Sequence, residues 1–261
     1  MAWHDVIEAP APQAQESPQE SARFGCSVER LTVSVASGTR LASVREAILR
    51  STADVVVLRY PAEHIGWFAA LTDLGRTAVF ADSLVYWQLL VGRGRAPAPS
   101  PELSVTEAPG AAAVAGLVAD IFSAYGSHHL ANPLFDPALA LAGYQEWALH
   151  SAARDGCLAL RGLDGDNGSG LLALATLEED ADRTEIQLAG VIPAQQGRGL
   201  YAYLLKAVED RTRARGGREV VISTQGHNTR VQRAWARYGF EPVQTLITTH
   251  LVLSPLLRGR G

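Results

Sequence analysis

The stretch EIQLAGVIPAQQGRGLYAYLL, residues 185–205, combines residue types and spacing suited to chemistry. An apolar strand runs into Pro193, a polar glycine-containing turn follows, and a helix opens with Leu200, Leu204 and Val208 four residues apart on one face. A strand–turn–helix of this kind aims several free backbone N–H groups at one point, and the positive end of the helix dipole reinforces them. The combination suits a pyrophosphate, and Gly197 and Gly199 let phosphate oxygens approach the backbone. The turn is neither a P-loop, lacking Gly-Lys-Ser/Thr, nor a GxGxxG fingerprint. Two glycines before a helix also make an ordinary tight turn, so this segment alone does not assign a ligand. No convincing Ser-His-Asp or Cys-His set suggests an enzyme nucleophile. Cys26 and Cys157 stand outside any CxxC or Cys/His pairing, which leaves no metal motif and reads as two reduced core thiols.

The elements around this segment divide into two lobes. Residues 1–22, polar and proline-rich, are expected to be disordered. Residues 23–92 read as a smaller N-terminal lobe: LTVSVAS alternates as a strand, Leu41, Val44 and Ile48 recur at helical spacing, DVVVLRY is a short apolar strand, Pro61 opens a second helix, and AVF and LVYWQLLV complete a β-α-β-α-β pattern. This lobe shows no chemical constellation. Residues 93–102, within GRGRAPAPSPE, read as a linker because proline and glycine sustain neither helix nor ladder. Residues 103–253 follow the order β-α-α-β-β-β-α-β-α-β, and 254–261 read as a flexible tail. Val114, Leu117, Val118, Ile121 and Tyr125 mark a helix with a continuous apolar stripe. Asp136-Pro137 opens another, and LDGDNGSG is a hairpin turn signal. The fold class is mixed α/β (α+β) with one central sheet.

A net charge of −4 over 261 residues offers no long-range attraction to nucleic acid or anionic membrane, so neither is an expected partner. No apolar h-region opens the chain and no apolar run reaches the length of a membrane span, so a cytoplasmic protein is expected.

Gln196-Gly197-Arg198-Gly199-Leu200-Tyr201 resembles the coenzyme A motif Gln/Arg-x-x-Gly-x-Gly/Ala of the GCN5-related N-acetyltransferases (GNAT). Downstream, the run from Asn228 to Gly239-Phe240 resembles the family's second motif: an asparagine, a short helix and a terminal Gly-Phe. The resemblance covers residues 103–253. The two-lobed order resembles amino-sugar N-acetyltransferases whose N-terminal half is a degenerate GNAT lobe.

The resemblance implies a bulged strand that splays from its neighbour, with the pantetheine arm in the resulting V along Leu188, Ala189, Gly190 and Val191. An N–H there would stabilise the tetrahedral oxyanion. It further implies direct attack by an amine on an acyl thioester, with Gln196, Gly197, Arg198, Gly199 and Tyr201 at the donor's phosphates and no metal. Glu185 is the candidate general base, through water. Trp235 stands where many relatives carry a tyrosine acid, and indole cannot fill that role. Tyr238 is the substitute candidate, with core packing as the alternative. Tyr201 replaces the usual Gly or Ala, its ring either crowding the pyrophosphate or turning into the core. Asn228 either touches the pantetheine arm or caps its helix. His128, His129 and Asn132, in the loop between the first two helices, together with His227 and Trp235, are candidate acceptor contacts. The paired histidines have a plain surface reading as well.

The expected function is N-acyl transfer to a small-molecule amine from acyl-CoA or from phosphopantetheine on an acidic carrier protein. A silent acyl-CoA-binding sensor is the rival from another class.

Overall fold

The computed structural model describes residues 3–8, 12, 14–107, 109–162 and 170–258. The first elements are α1 (Trp3–Glu8), β1 (Ala14–Glu16), α2 (Pro18–Phe24), β2 (Val28–Thr32), α3 (Leu41–Arg50), β3 (Val55–Pro61), α4 (Trp67–Leu71) and β4 (Arg76–Leu90). They are followed by β5 (Leu103–Thr106), α5 (Ala111–Phe122), α6 (Pro137–Ala152), β6 (Cys157–Gly162), β7 (Leu171–Glu179), β8 (Arg183–Val191), α7 (Leu200–Ala214), β9 (Glu219–Gln225), α8 (Thr229–Tyr238), β10 (Glu241–Leu253) and α9 (Ser254–Arg258).

The locally encoded features form as read. Asp136 caps α6, its side chain accepting the Ala138 N–H at 2.8 Å. Leu204, Leu205 and Val208 of α7 are buried against Leu158, Leu160, Ala173, Ile186, Val220 and Ile222 of the sheet. On the opposite face, Val114, Leu117 and Val118 of α5 pack on Leu174 and Leu188. Fully burying each such aliphatic side chain is worth about 1.5–3 kcal/mol, so these two stripes hold β6, β7 and β8 between helices. β6 and β7 form the expected antiparallel hairpin. Its connector, residues 163–169, lies outside the described residues.

The two halves are not separate bodies. Among the described residues, ten strands make one sheet in the order β1-β2-β3-β10-β4-β9-β8-β7-β6-β5. β4, from the N-terminal half, lies between β9 and β10 of the C-terminal half. The last strand, β10, lies in turn between β3 and β4 of the N-terminal half. AVF and LVYWQLLV are therefore parts of one 15-residue strand, carried past a bulge where Asp82 and Phe80 pair with consecutive residues of β10. An extended segment over residues 93–100 crosses α7 and α8: Arg95 N–H donates to the Tyr238 carbonyl at 2.6 Å, and Tyr203 donates to the Ala98 carbonyl at 2.9 Å.

The chain ends also differ from the reading of a disordered leader and a free tail. Trp3 and Val6 of α1 are buried against Leu84, Tyr86, Val221 and Leu246. Phe24 of α2 stacks on Phe135, with centroids 4.3 Å apart. Leu257 of α9 packs on the cluster of Val28, Val55 and Val57. Cys157 is a buried, free thiol. No helix among the described residues is long and apolar enough to cross a membrane.

Candidate active site

The sheet opens between β8 and β9. The two strands pair in parallel only from Arg183–Glu219 to Ile186–Ile222. Beyond Ile186, β8 stays with β7 as far as Val191 while β9 stays with β4 as far as Gln225. The divergence begins at a bulge: Leu177 pairs with Ile186 and Thr176 with Leu188, leaving Gln187 as the extra residue. A bulge bends its strand and breaks the ladder locally, so the backbone past it is free to face a ligand. The Leu188 N–H turns instead to the Thr176 hydroxyl, 3.1 Å away. Leu188 lies on the α5 face, while Ala189 and Val191 lie on the α7 face. Gly190 is a point of close approach: a Cβ there would lie 2.2 Å from Cγ2 of Ile121 on α5.

At the end of β8, Gln196 donates from Nε2 to the Val191 carbonyl at 3.0 Å and accepts from Arg230 Nη1 at 2.8 Å. This ties the turn to both the strand and α8. Gly197 and Gly199 have φ of 83° and 78°, a region L side chains rarely enter. Gly199 is the N-cap of α7 and makes no side-chain cap bond, so the first-turn N–H groups stay available to an anion. The space above both glycines is open. Arg198 bonds Gln195 Oε1 at 3.0 Å at this rim. These residues fit a pyrophosphate on charge, on backbone geometry and on room.

The two departures from the family motif meet each other. The Tyr201 ring packs into the core under α7, and its hydroxyl accepts the Trp235 indole N–H at 3.0 Å. The ring therefore turns away from the cradle. Burial pushes the Tyr201 phenol up to about 12. Trp235 is 1% exposed, edge-on to Trp87 at 6.1 Å, which makes it a core residue and removes it from the acceptor contacts. Tyr238 is corrected as well. Its hydroxyl donates to Glu209 Oε2 at 2.7 Å, and Glu209 also accepts the Gly92 N–H at 2.7 Å. Burial and the adjacent Glu209 carboxylate raise the Tyr238 phenol far above its usual value. Tyr238 pins the crossing segment to α7 and does not face the V.

Glu185 is the third residue of β8, on the face covered by α1, and is 8% exposed. Its Oε2 accepts the Trp3 backbone N–H at 2.7 Å. Burial pushes its carboxyl up to about 7, and the Trp3 bond works against that rise. A carboxyl with that pKa is suited to take a proton near neutrality. Trp3 covers it, packing on Tyr86 with centroids 5.0 Å apart.

Around the mouth of the V, Asn228 precedes α8 but makes no cap bond. It donates instead to Thr224 Oγ1 at 3.0 Å. His227 is exposed and lies beside Gly126 of the α5–α6 connection. Tyr125 donates to Gln225 Oε1 at the end of β9. The sequence marked Tyr125 only as part of a helical stripe.

His128, His129 and Asn132 are not surface loop residues; they are 5%, 8% and 1% exposed. His129 Nε2 meets Glu20 Oε1 at 3.1 Å, and Glu20 receives both Arg30 Nε and Nη2, at 2.7 and 2.6 Å. Burial opposes ionisation of Glu20, yet these bonds hold its carboxyl well below the usual range. His128 Nδ1 meets His250 Nε2 at 3.0 Å. Burial lowers both rings, His250 to about 3, so both are neutral. Asn132 Oδ1 accepts the Leu134 N–H at 3.0 Å and shapes the turn. The position of α2 was the missing information: no local pattern announces that Glu20 reaches His129.

With this geometry in hand, the Acetyltransferase (GNAT) family model matches residues 120–240. Residues 120–240 are a GNAT-family domain. The GNAT match contains the bulged β8, the cradle and α8. A curated relative, a mycothiol acetyltransferase from Beutenbergia cavernae, is 34% identical over 109 residues, 42% of this chain and 30% of that protein's length. A GCN5-related N-acetyltransferase structure from Sphaerobacter thermophilus superposes with a TM-score of 0.61 at 16% identity, over 92% of this chain and 76% of that one. A tandem GNAT protein from the clavulanic acid biosynthesis pathway superposes at 0.54 with 15% identity, over 87% and 75%. The GNAT fold thus extends over both halves of the chain, as the shared sheet requires.

Proposed function

We propose that the chain is an N-acyltransferase that moves an acyl group from acyl-CoA to the amine of a small molecule. The observation that carries the reading is the V between β8 and β9 ending at the Gly197–Gly199 cradle. The donor's phosphates would lie on the first-turn N–H groups of α7, near Arg198, with the pantetheine arm along Leu188–Val191. The amine lone pair attacks the thioester carbonyl carbon. Glu185 takes the amine proton, through water. The tetrahedral intermediate collapses, the C–S bond breaks, and amide and thiol result. Tyr238 is committed to Glu209 and Trp235 to Tyr201, so the departing thiolate takes its proton from solvent in this scheme.

Free acyl-CoA is favoured over a carrier-bound donor because Tyr201 turns into the core and leaves the cradle open. The relative's name places mycothiol-type amines among the first acceptors to try. The test is calorimetric titration of acetyl-CoA into wild type and Gly199→Glu, followed by an amine screen for CoA release. A side chain at φ 78° is strained, and its carboxylate repels phosphate, so donor affinity should fall at least tenfold. Unchanged affinity in a folded Gly199→Glu protein, or a 100-fold preference in kcat/KM for the same acyl group on a carrier protein, would sink this donor assignment.

A further inference from the structure

The α5 face of the sheet holds a buried polar cluster that the acyl-transfer reading does not use. Arg59 on β3 and Asp82 on β4 both pair with Thr248 of β10, one from each side. Their Cα atoms are therefore two strand spacings apart, roughly 9–10 Å. His250 lies two residues along β10 from Thr248, on the same face. All four are buried: Arg59 8%, Asp82 6%, Thr248 0% and His250 0% exposed. The His128–Ala131 turn lies against β4 and forms the roof, with His128 bonded to His250.

The internal pairing of this cluster is incomplete. Neither carboxylate oxygen of Asp82 has a hydrogen-bond partner among the described residues, and neither does Nδ1 of His250. Among the described residues Arg59 makes one long bond, Nε to Thr248 Oγ1 at 3.3 Å. Arg59 and Asp82 do not pair with each other within salt-bridge distance among the described residues. The other charges behind Arg59 are already engaged, Arg30 with Glu20 and Glu20 with His129. A buried charge without a partner costs several kcal/mol, so two of opposite sign side by side call for a ligand that carries both complements. A divalent metal is a poor match, since Arg59 repels it and no group of three or more His, Cys, Asp or Glu suited to a metal is found among the described residues.

We propose that this cluster binds an α-amino-acid zwitterion, its ammonium on Asp82 and its carboxylate on Arg59, as the end of the acceptor remote from the attacked amine. The cluster and Glu185 share one face of the sheet. Asp82 is followed on that face of β4 by Leu84 and Tyr86, which pack under Trp3, and the Trp3 N–H reaches Glu185. The assignment to the acceptor rests on the acyl-transfer reading; the binding itself does not.

The experiment measures binding without any acyl donor. The full chain is titrated with L-alanine, ethylamine and acetate, followed by thermal denaturation and calorimetry. L-alanine should raise Tm with concentration, and the two single-charge probes should do so at least tenfold less effectively. Asp82→Asn and Arg59→Met should each weaken L-alanine binding tenfold or more. Asp82→Asn, which removes an unpaired buried charge, should also raise the ligand-free Tm, and this isosteric change decides the matter if Arg59→Met fails to fold. No response to L-alanine, or a response equal in wild type and Asp82→Asn, overturns the proposal. L-alanine binding in a protein that transfers no acyl group would overturn the proposed function and leave this binding site standing.

Discussion

Glu185→Gln gives the most direct test of the proposed chemistry. Burial pushes the Glu185 carboxyl up to about 7, so about a tenth is ionised at pH 6 and about nine-tenths at pH 8. If the ionised form takes the amine proton, wild-type kcat/KM divided by that of Glu185→Gln should rise about tenfold between these pH values. Taking the ratio cancels the titration of the amine itself. At pH 8 the ratio should be roughly 10² or more, the usual scale for a general base. Stability gives a second readout. The folded state holds this proton more tightly than the unfolded chain, whose carboxyl titrates near 4.5. Ionisation therefore costs nothing below pH 4.5, costs progressively more as pH rises, and reaches its full value above about 7. That rise corresponds to about 3 kcal/mol. Glu185→Gln stays neutral and can still accept the Trp3 N–H, so it should melt above wild type at pH 8 and level with it near pH 4. A pH-independent rate ratio, or a variant that melts below wild type at pH 8, would refute the assignment.

Two further substitutions separate structural pins from the site. Tyr238→Phe removes the hydroxyl that donates to Glu209; stability should fall by about 1.5–3 kcal/mol, seen in denaturant unfolding, while kcat stays within about twofold. A large loss of kcat in the folded variant would return Tyr238 to the chemistry. Trp3→Ala uncovers the Glu185 face, so KM for the acceptor amine should fall several-fold with kcat unchanged. An increase in KM would make Trp3 part of the acceptor wall.

The elements that were legible in the sequence are those made by local physics. The apolar stripe of α7, the Asp136 cap, the positive-φ glycines of the cradle and the β6–β7 hairpin each follow from residues a few positions apart. The motif spacing also pointed to the bulged strand and to the glycine turn that follows it. Tertiary structure alone decided which strands lie beside one another. Insertion of β4 between β9 and β10 pairs residues more than a hundred positions apart, and an apolar strand carries no label for its neighbour. The same long-range pairing brings Arg59 and Asp82 to either side of Thr248, turns His128 and His129 inward onto His250 and Glu20, and lays Trp3 over Glu185. Tyr238 shows the limit from the other side. Its place on α8 was readable, but the direction of its hydroxyl depended on Glu209, a partner 29 residues away on another helix.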